Sequence, residues 1–256
     1  MKQLMAFMKK EFLEQLRTGR VILLLILFCL FGILNPATAK MMPWLLNLMS
    51  EQLAESGMII NNIHVDAMTS WTQFFKNMPI LLIVFIVMFS GILTSEYQNG
   101  TLINVITKGL KRWKILASKM AVMVLLWTVG YLISFGITYS YNAYFWDNSI
   151  VKNLIFSVFG YYLVGIWLIS VILLSSAVLK SSAGVILSVG TAFLISYLLG
   201  FISVLHKYVP TFLLNANELL KGVIDSRECV ISVGITCLLL ILNVILFIFI
   251  FNKRMI

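Results

Sequence analysis

Residues 96–119 read EYQNGTLINVITKGLKRWKILASK, a polar and basic insert between two segments apolar enough to cross a bilayer. The insert carries five Lys/Arg residues, an Asn-Gly turn signal and a short apolar helix candidate. Around it, the chain of 256 residues is 61% hydrophobic and 11% charged, with a mean hydropathy of +0.99. A water-soluble domain of this length exposes far more charge, so the composition reads as an all-α integral membrane protein.

The formal net charge is +9. A nucleic-acid reading needs Lys/Arg clustered on a folded, water-exposed face; the positive charge here marks topology instead, and no nucleic-acid partner is expected. Cys29, Cys229 and Cys237 form neither a disulfide framework nor a CxxC pair, and His64 and His206 stand alone. No metal site is expected.

Working outward from the insert, six spans are expected over about 21–39, 77–95, 120–144, 154–179, 183–205 and 230–251. Each is close to the ~20 residues that cross ~30 Å of hydrocarbon. The first is expected to end near Asn35-Pro36. Residues 1–20 read as an amphipathic interfacial helix, with Met1, Leu4, Met5, Met8, Phe12 and Leu16 on one stripe and Lys10, Glu14 and Arg17 opposite. Its length, its patterning and Glu11 and Glu14 speak against a cleaved signal peptide. Between the first two spans, a short helix is expected over 45–56, stopped by Gly57, and then Thr69 or Ser70 capping a helix that carries Trp71, Phe74 and Phe75 inward. Before the last span, Asn215 and Glu218 have capping-box spacing and Gly222 a closing position. One or two short helices should dip there toward the outer surface.

Lys2, Lys9, Lys10, Arg17 and Arg20, the five basic residues of the insert, Lys180, Lys253 and Arg254 all fall on one side of this layout. Of the acidic residues only Glu11, Glu14 and Glu96 join them. By the positive-inside bias that side is cytoplasmic, both termini included, for a multi-pass membrane protein. Cys229 should then be open to an impermeant thiol reagent from outside.

Within these span limits no Asp, Glu, Lys, Arg or His lies deep in the membrane. Ion-coupled carriers and intramembrane hydrolases need such groups, and no channel filter loop is evident. The spans hold small and hydroxyl residues instead. Gly184, Ser188, Thr191, Ser196 and Gly200 mark the fifth, and Gly130 with Ser134 the third. Such spacing brings helix backbones close. Two readings stand: packing inside one subunit, or a dimer seam built by the fifth span with Gly32 of the first. Asn243 should hydrogen-bond a neighbouring helix, while Trp127, Tyr131, Tyr139, Tyr141, Tyr144, Phe145 and Trp146 read as interface anchors.

Within the insert, Thr101 can cap a helix of about two turns, with Leu102, Val105 and Ile106 on one face and Lys108-Gly109 at its end. So short a helix does not stand alone in water and must dock on the membrane or on a partner. The pattern of Glu96, Gly100-Thr101, Lys108-Gly109, Arg112 and Lys119 resembles the corresponding loop of ABC-2 type permeases. The interfacial helix, the six spans and the short helices before the last one extend the resemblance over nearly the whole chain. Small bacterial peptide-export and immunity permeases look similar. The chain departs from many of them in having Leu110-Lys111, without Pro, before Arg112.

The resemblance implies one permease domain over 1–256, a transport subunit that is not itself an enzyme. Glu96, Gly100, Thr101, Leu102, Val105, Ile106, Lys108, Gly109 and Arg112 would form a coupling helix that fits a cleft on a separate ABC ATPase subunit. That partner would bind ATP and Mg, leaving no cofactor in this chain. A second copy of the chain or a related permease would complete an exporter that moves an amphipathic or lipophilic substrate, in first line a peptide, by alternating access. The residues themselves agree on energetics, since the sequence has no GxxxxGK[ST] phosphate loop. The rival reading is a membrane scaffold, sensor or channel that only recruits a cytoplasmic partner.

Overall fold

The computed structural model describes residues 2–48, 65–102, 107, 109 and 111–253. Three of the four prolines lie inside long helices, and the way they are accommodated sets the helix lengths. The interfacial helix α1 (Lys2–Arg17) is followed by α2 (Arg20–Leu48), which runs straight through Pro36 and Pro43. The expected end near Asn35-Pro36 is therefore corrected. A helical proline frees the carbonyl four residues before it, here that of Gly32. The Thr138 hydroxyl donates to that carbonyl at 3.0 Å. In α3 (Ala67–Phe89), Pro79 frees the Phe75 carbonyl, which accepts the Tyr161 hydroxyl at 3.2 Å. Both of these freed carbonyls find a donor on a neighbouring helix, as the apolar interior of a membrane requires.

The other boundaries shift for local reasons. Asp66 caps α3 by accepting the Thr69 amide at 3.0 Å, so the helix starts ten residues before the expected second span, and Thr69 and Ser70 lie within it. A turn leads to the short α4 (Thr94–Gln98). The third span α5 (Arg112–Phe145) begins eight residues before position 120. Residues 112–119 are thus its first two turns and not a loop. α6 (Leu154–Val178) matches its expected limits, whereas α7 (Ser182–Leu199) stops six residues short and gives way to turns. After α8 (Ala216–Leu220), the last span α9 (Ser226–Lys253) begins four residues early.

Among the described residues, six helices are long and apolar enough to cross a membrane, and there is no strand. Because the helices outrun the expected spans, ionisable groups do sit on them: Lys40 on α2, Lys76 on α3 and Lys119 on α5. The expected helix over 45–56 lies largely outside the described residues, its first positions being the end of α2.

α6 holds the centre of the bundle, packed between α5, α7 and α9. Around it is an aromatic core. Trp127 and Tyr131, read as interface anchors, are both buried, with rings 5.6 Å apart, and Tyr131 donates to the Val158 carbonyl at 2.7 Å. Gly130 and Gly165 leave the room this needs, since a Cβ at either would collide with the ring of Phe28 or of Trp127. Tyr139, Tyr141, Tyr144 and Phe145 stay exposed toward the far end of α5. Asn243 donates to Ser170 Oγ on α6 at 3.0 Å, the interhelical bond its position predicts.

The segment before α9 forms two 3₁₀ turns, His206–Tyr208 and Pro210–Leu214, and then α8. Pro210, Thr211, Phe212 and Leu213 are buried, and Thr211 donates to the Ser196 carbonyl at 2.9 Å. Asn215 occupies the cap position without a side-chain cap bond; its carbonyl takes the Glu218 amide. Gly222, at φ +71, closes the helix as expected. Cys229 is buried, so the expectation of ready access from outside fails.

Candidate functional site

At one end of the bundle α1, α4 with the turn before it, and the start of α5 converge on a cluster of five charges. Lys119 is 1% exposed, as is Glu11, and Glu96 is 8% exposed. The Lys119 ammonium meets Glu11 Oε2 at 2.9 Å, Glu96 Oε2 at 3.0 Å and the Ile92 carbonyl at 3.0 Å. It donates hydrogen bonds to Glu11 and to the Ile92 carbonyl, while Glu96 Oε2 stands beside it as an ion-pair partner without a hydrogen bond. Lys10 lies on the solvent side of the same carboxylates, with Glu11 Oε1 at 3.0 Å, Glu96 Oε1 at 3.4 Å and Glu14 Oε2 at 2.7 Å. Glu11 and Glu96 are each held between the same two lysines.

Burial opposes the Lys10 charge, but Glu14, Glu11 and Glu96 outweigh it and hold its pKa above the ordinary lysine range. For Glu14, burial works upward, yet the Lys10 hydrogen bond prevails and lowers its pKa. The carboxylates of Glu11, Glu14 and Glu96 come within 4.8 Å of one another, a spacing that suits a cation. The arrangement supplies its own cations in the two ammonium groups.

Further bonds gather the rest of this end. Lys114 donates to Gln3 at 2.7 Å, and Arg20 to Gln15 at 3.2 Å. Arg112 donates to the Phe251 and Asn252 carbonyls at 2.9 and 3.1 Å, capping α9 where a cation suits a helix C-terminus. Gln98 reaches the Lys180 carbonyl at 2.9 Å, and Thr94 and Ser182 share a hydroxyl bond at 3.0 Å. The segments carrying most of the basic residues thus sit together at one end.

The expected insert residues divide. Glu96 faces inward into the cluster, and Leu102 is buried within the chain. Gly100 and Gly109 have φ of +65 and +83, the left-handed turns that glycine permits. Thr101 is helical and exposed. Val105, Ile106 and Lys108 lie outside the described residues.

Among the seam candidates, Gly32 is packed inside the chain, where an added Cβ would stand 3.2 Å from the Ser134 backbone. Its place in a seam between copies is corrected. Ser188 bonds Ser175 of α6 at 2.9 Å, and Ser196 is buried against Thr211. Gly184 and Gly200 are half-buried at the two ends of α7, while Thr191 is exposed.

The apolar stripe of the first twenty residues passes Glu11 by. The face that α1 buries is Phe7, Glu11 and Gln15, with the expected apolar stripe beside it and Met5 left 72% exposed. The signal was present in the four-residue spacing of those three positions, which places them on one helical row.

A family model described as ABC-2 family transporter protein matches residues 5–254. No individually curated protein matches the chain.

Proposed function

The chain belongs to the ABC-2 family of transporter proteins, and from that premise we propose that it is the membrane permease of an ATP-driven exporter, worked through its cytoplasmic hairpin by a separate ATPase. The observation that carries this reading is Lys119, the buried cation that ties Glu96 of the hairpin to Glu11 of α1 at the foot of the third span. A push on residues 96–111 would therefore load α1 and α5 together, because a buried ion pair resists separation.

The partner would bind ATP and Mg and close on them, the hairpin would follow, and the spans would rearrange at a seam between two permeases. Glu96, with Leu102, serves in this scheme to anchor the hairpin from inside. Gly100, Thr101, Val105, Ile106, Lys108 and Gly109 remain for contact with the partner, and Arg112 links the hairpin to the end of α9. The second permease is a copy of the chain or a related one. The termini face the cytoplasm of a bacterial cell, in keeping with the positive-inside bias. Spans lined by apolar, hydroxyl and aromatic groups suit an amphipathic or lipophilic substrate, with a peptide as the first candidate.

The test is ATP hydrolysis by a candidate ABC ATPase reconstituted with the chain in vesicles. Deleting residues 102–108 should abolish stimulation of hydrolysis by the permease while leaving membrane insertion intact. Unaltered hydrolysis would overturn coupling and leave a scaffold or channel that merely recruits a partner.

A further inference from the structure

An open pocket of about 520 Å³ lies at the opposite end of the bundle from the charge cluster, between the end of α7 and the short helices before α9. Tyr197, Phe201 and Phe212 give it aromatic walls, and Glu218 and Glu228 bring carboxylates to it. The walls are fixed in place: Thr211 is bonded to Ser196 at the end of α7, and Ser232 of α9 donates to the Lys207 carbonyl at 2.6 Å.

His206 stands edge-on to Phe212, with ring centroids 5.3 Å apart, and its Nδ1 lies 2.6 Å from the Ser203 carbonyl. A carbonyl only accepts, so Nδ1 carries a proton and Nε2 is the ring nitrogen left for other contacts. Glu228 is neutralised by Lys207 at 2.7 Å. Glu218 has no ion pair among the described residues. The pocket therefore combines aromatic faces, an uncompensated carboxylate and an imidazole, and none of its described lining residues is a Lys or Arg.

We propose that this pocket binds an amphipathic organic cation, its ammonium or guanidinium set against Glu218 and its apolar body between Tyr197, Phe201 and Phe212. Aromatic faces attract a cation as well as apolar surface, so walls and carboxylate favour the same ligand. An anion would meet Glu218 without a compensating charge. The inference stands on the pocket alone and does not depend on coupling to an ATPase.

Equilibrium dialysis of 1-naphthylmethylamine against the full chain in nanodiscs of zwitterionic lipid tests it, with 1-naphthylmethanol as the uncharged analogue. The amine should saturate at one site per chain and bind about fivefold more tightly than the alcohol, the scale of a solvent-accessible charge pair. Glu218→Gln should erase that preference, and Phe201→Ala should weaken binding by roughly tenfold through lost apolar contact. Both positions are exposed, Phe201 at 72%, so neither change opens the core. Asp147→Asn, which removes an exposed carboxylate elsewhere at the same end, should change nothing. Uptake that never saturates and equals that of protein-free nanodiscs would overturn the proposal. So would amine binding that ignores Glu218→Gln, or that responds equally to Asp147→Asn.

Discussion

Lys119 meets the Ile92 carbonyl and two buried carboxylates, those of Glu11 and Glu96, within 3.0 Å. Lys119→Met would leave Glu11 and Glu96 sharing only Lys10, which lies nearer the solvent. Removing one partner of a buried ion pair costs about 3–5 kcal/mol, and thermal unfolding in detergent should show a loss on that scale. In the Glu11→Gln background the same change should cost less, because one stranded charge is already gone. Lys10 and Glu14 give the site a pH dependence. The Glu14 pKa is lowered in the fold, so its contribution is present above the ordinary value of 4.5 and lost as pH falls below it. That of Lys10 is raised, so its contribution is full below 10.5 and fades only at higher pH. The gap in melting temperature between wild type and Glu14→Gln should therefore hold near neutrality and close below pH 4.5. A gap that persists in acid would break the assignment of Lys10 as the partner. Lys119 and Glu96 were legible in the sequence as charges beside a span. Their union with Glu11 was not, because the apolar stripe of α1 directs attention to the membrane-facing side of that helix.

The helices show why span number was readable and span length was not. Apolar runs of sufficient length announce themselves, but a proline was read by its local effect, as a terminator. The partner that lets α2 continue past Pro36 is Thr138, which lies 106 positions from Gly32 and meets its freed carbonyl only in the folded bundle. The same hydroxyl accepts from Asn35 at 3.3 Å, and Asn35 in turn accepts from Asn77 at 2.8 Å. One residue thus joins three helices. Thr138→Val keeps the shape and removes both bonds, leaving a buried carbonyl and a buried amide short of partners at a cost of about 1–3 kcal/mol. Pro36→Ala would return a backbone N–H to the Gly32 carbonyl. Thr138→Val should therefore cost measurably less in that background, and a thermal-unfolding double-mutant cycle reads the difference. Equal costs would mean that Thr138 braces no proline.

At the scale of the molecule, the two ends differ in kind: one closes on buried ion pairs, the other on short turns, exposed aromatics and an open pocket. Which end faces the cytoplasm is decided by labelling at exposed positions, since buried Cys229 is no reporter. In a cysteine-free chain, Val223→Cys, at a position 73% exposed, should react with an impermeant maleimide on intact cells. Lys111→Cys should react only after permeabilisation, and the reverse pattern would invert the topology. The seam is a second matter of the whole assembly. Small residues on α7 promised close packing, but the sequence could not say against what, because the same spacing serves a neighbour in the chain or in a second copy. The fold divides them. Ser188 and Ser196 spend their hydroxyls inside the chain, while Leu187, Thr191, Leu194 and Leu198 form an exposed row at helical spacing. If two permeases meet along α7, Thr191→Cys should give disulfide-linked dimers under mild oxidation in membranes, and Ser188→Cys should not. Leu242→Cys, on the exposed face of α9, supplies the lipid-facing control. Cross-linking at position 242 without any at 191 would move the seam from α7 to α9. Cross-linking at neither would leave both faces to lipid.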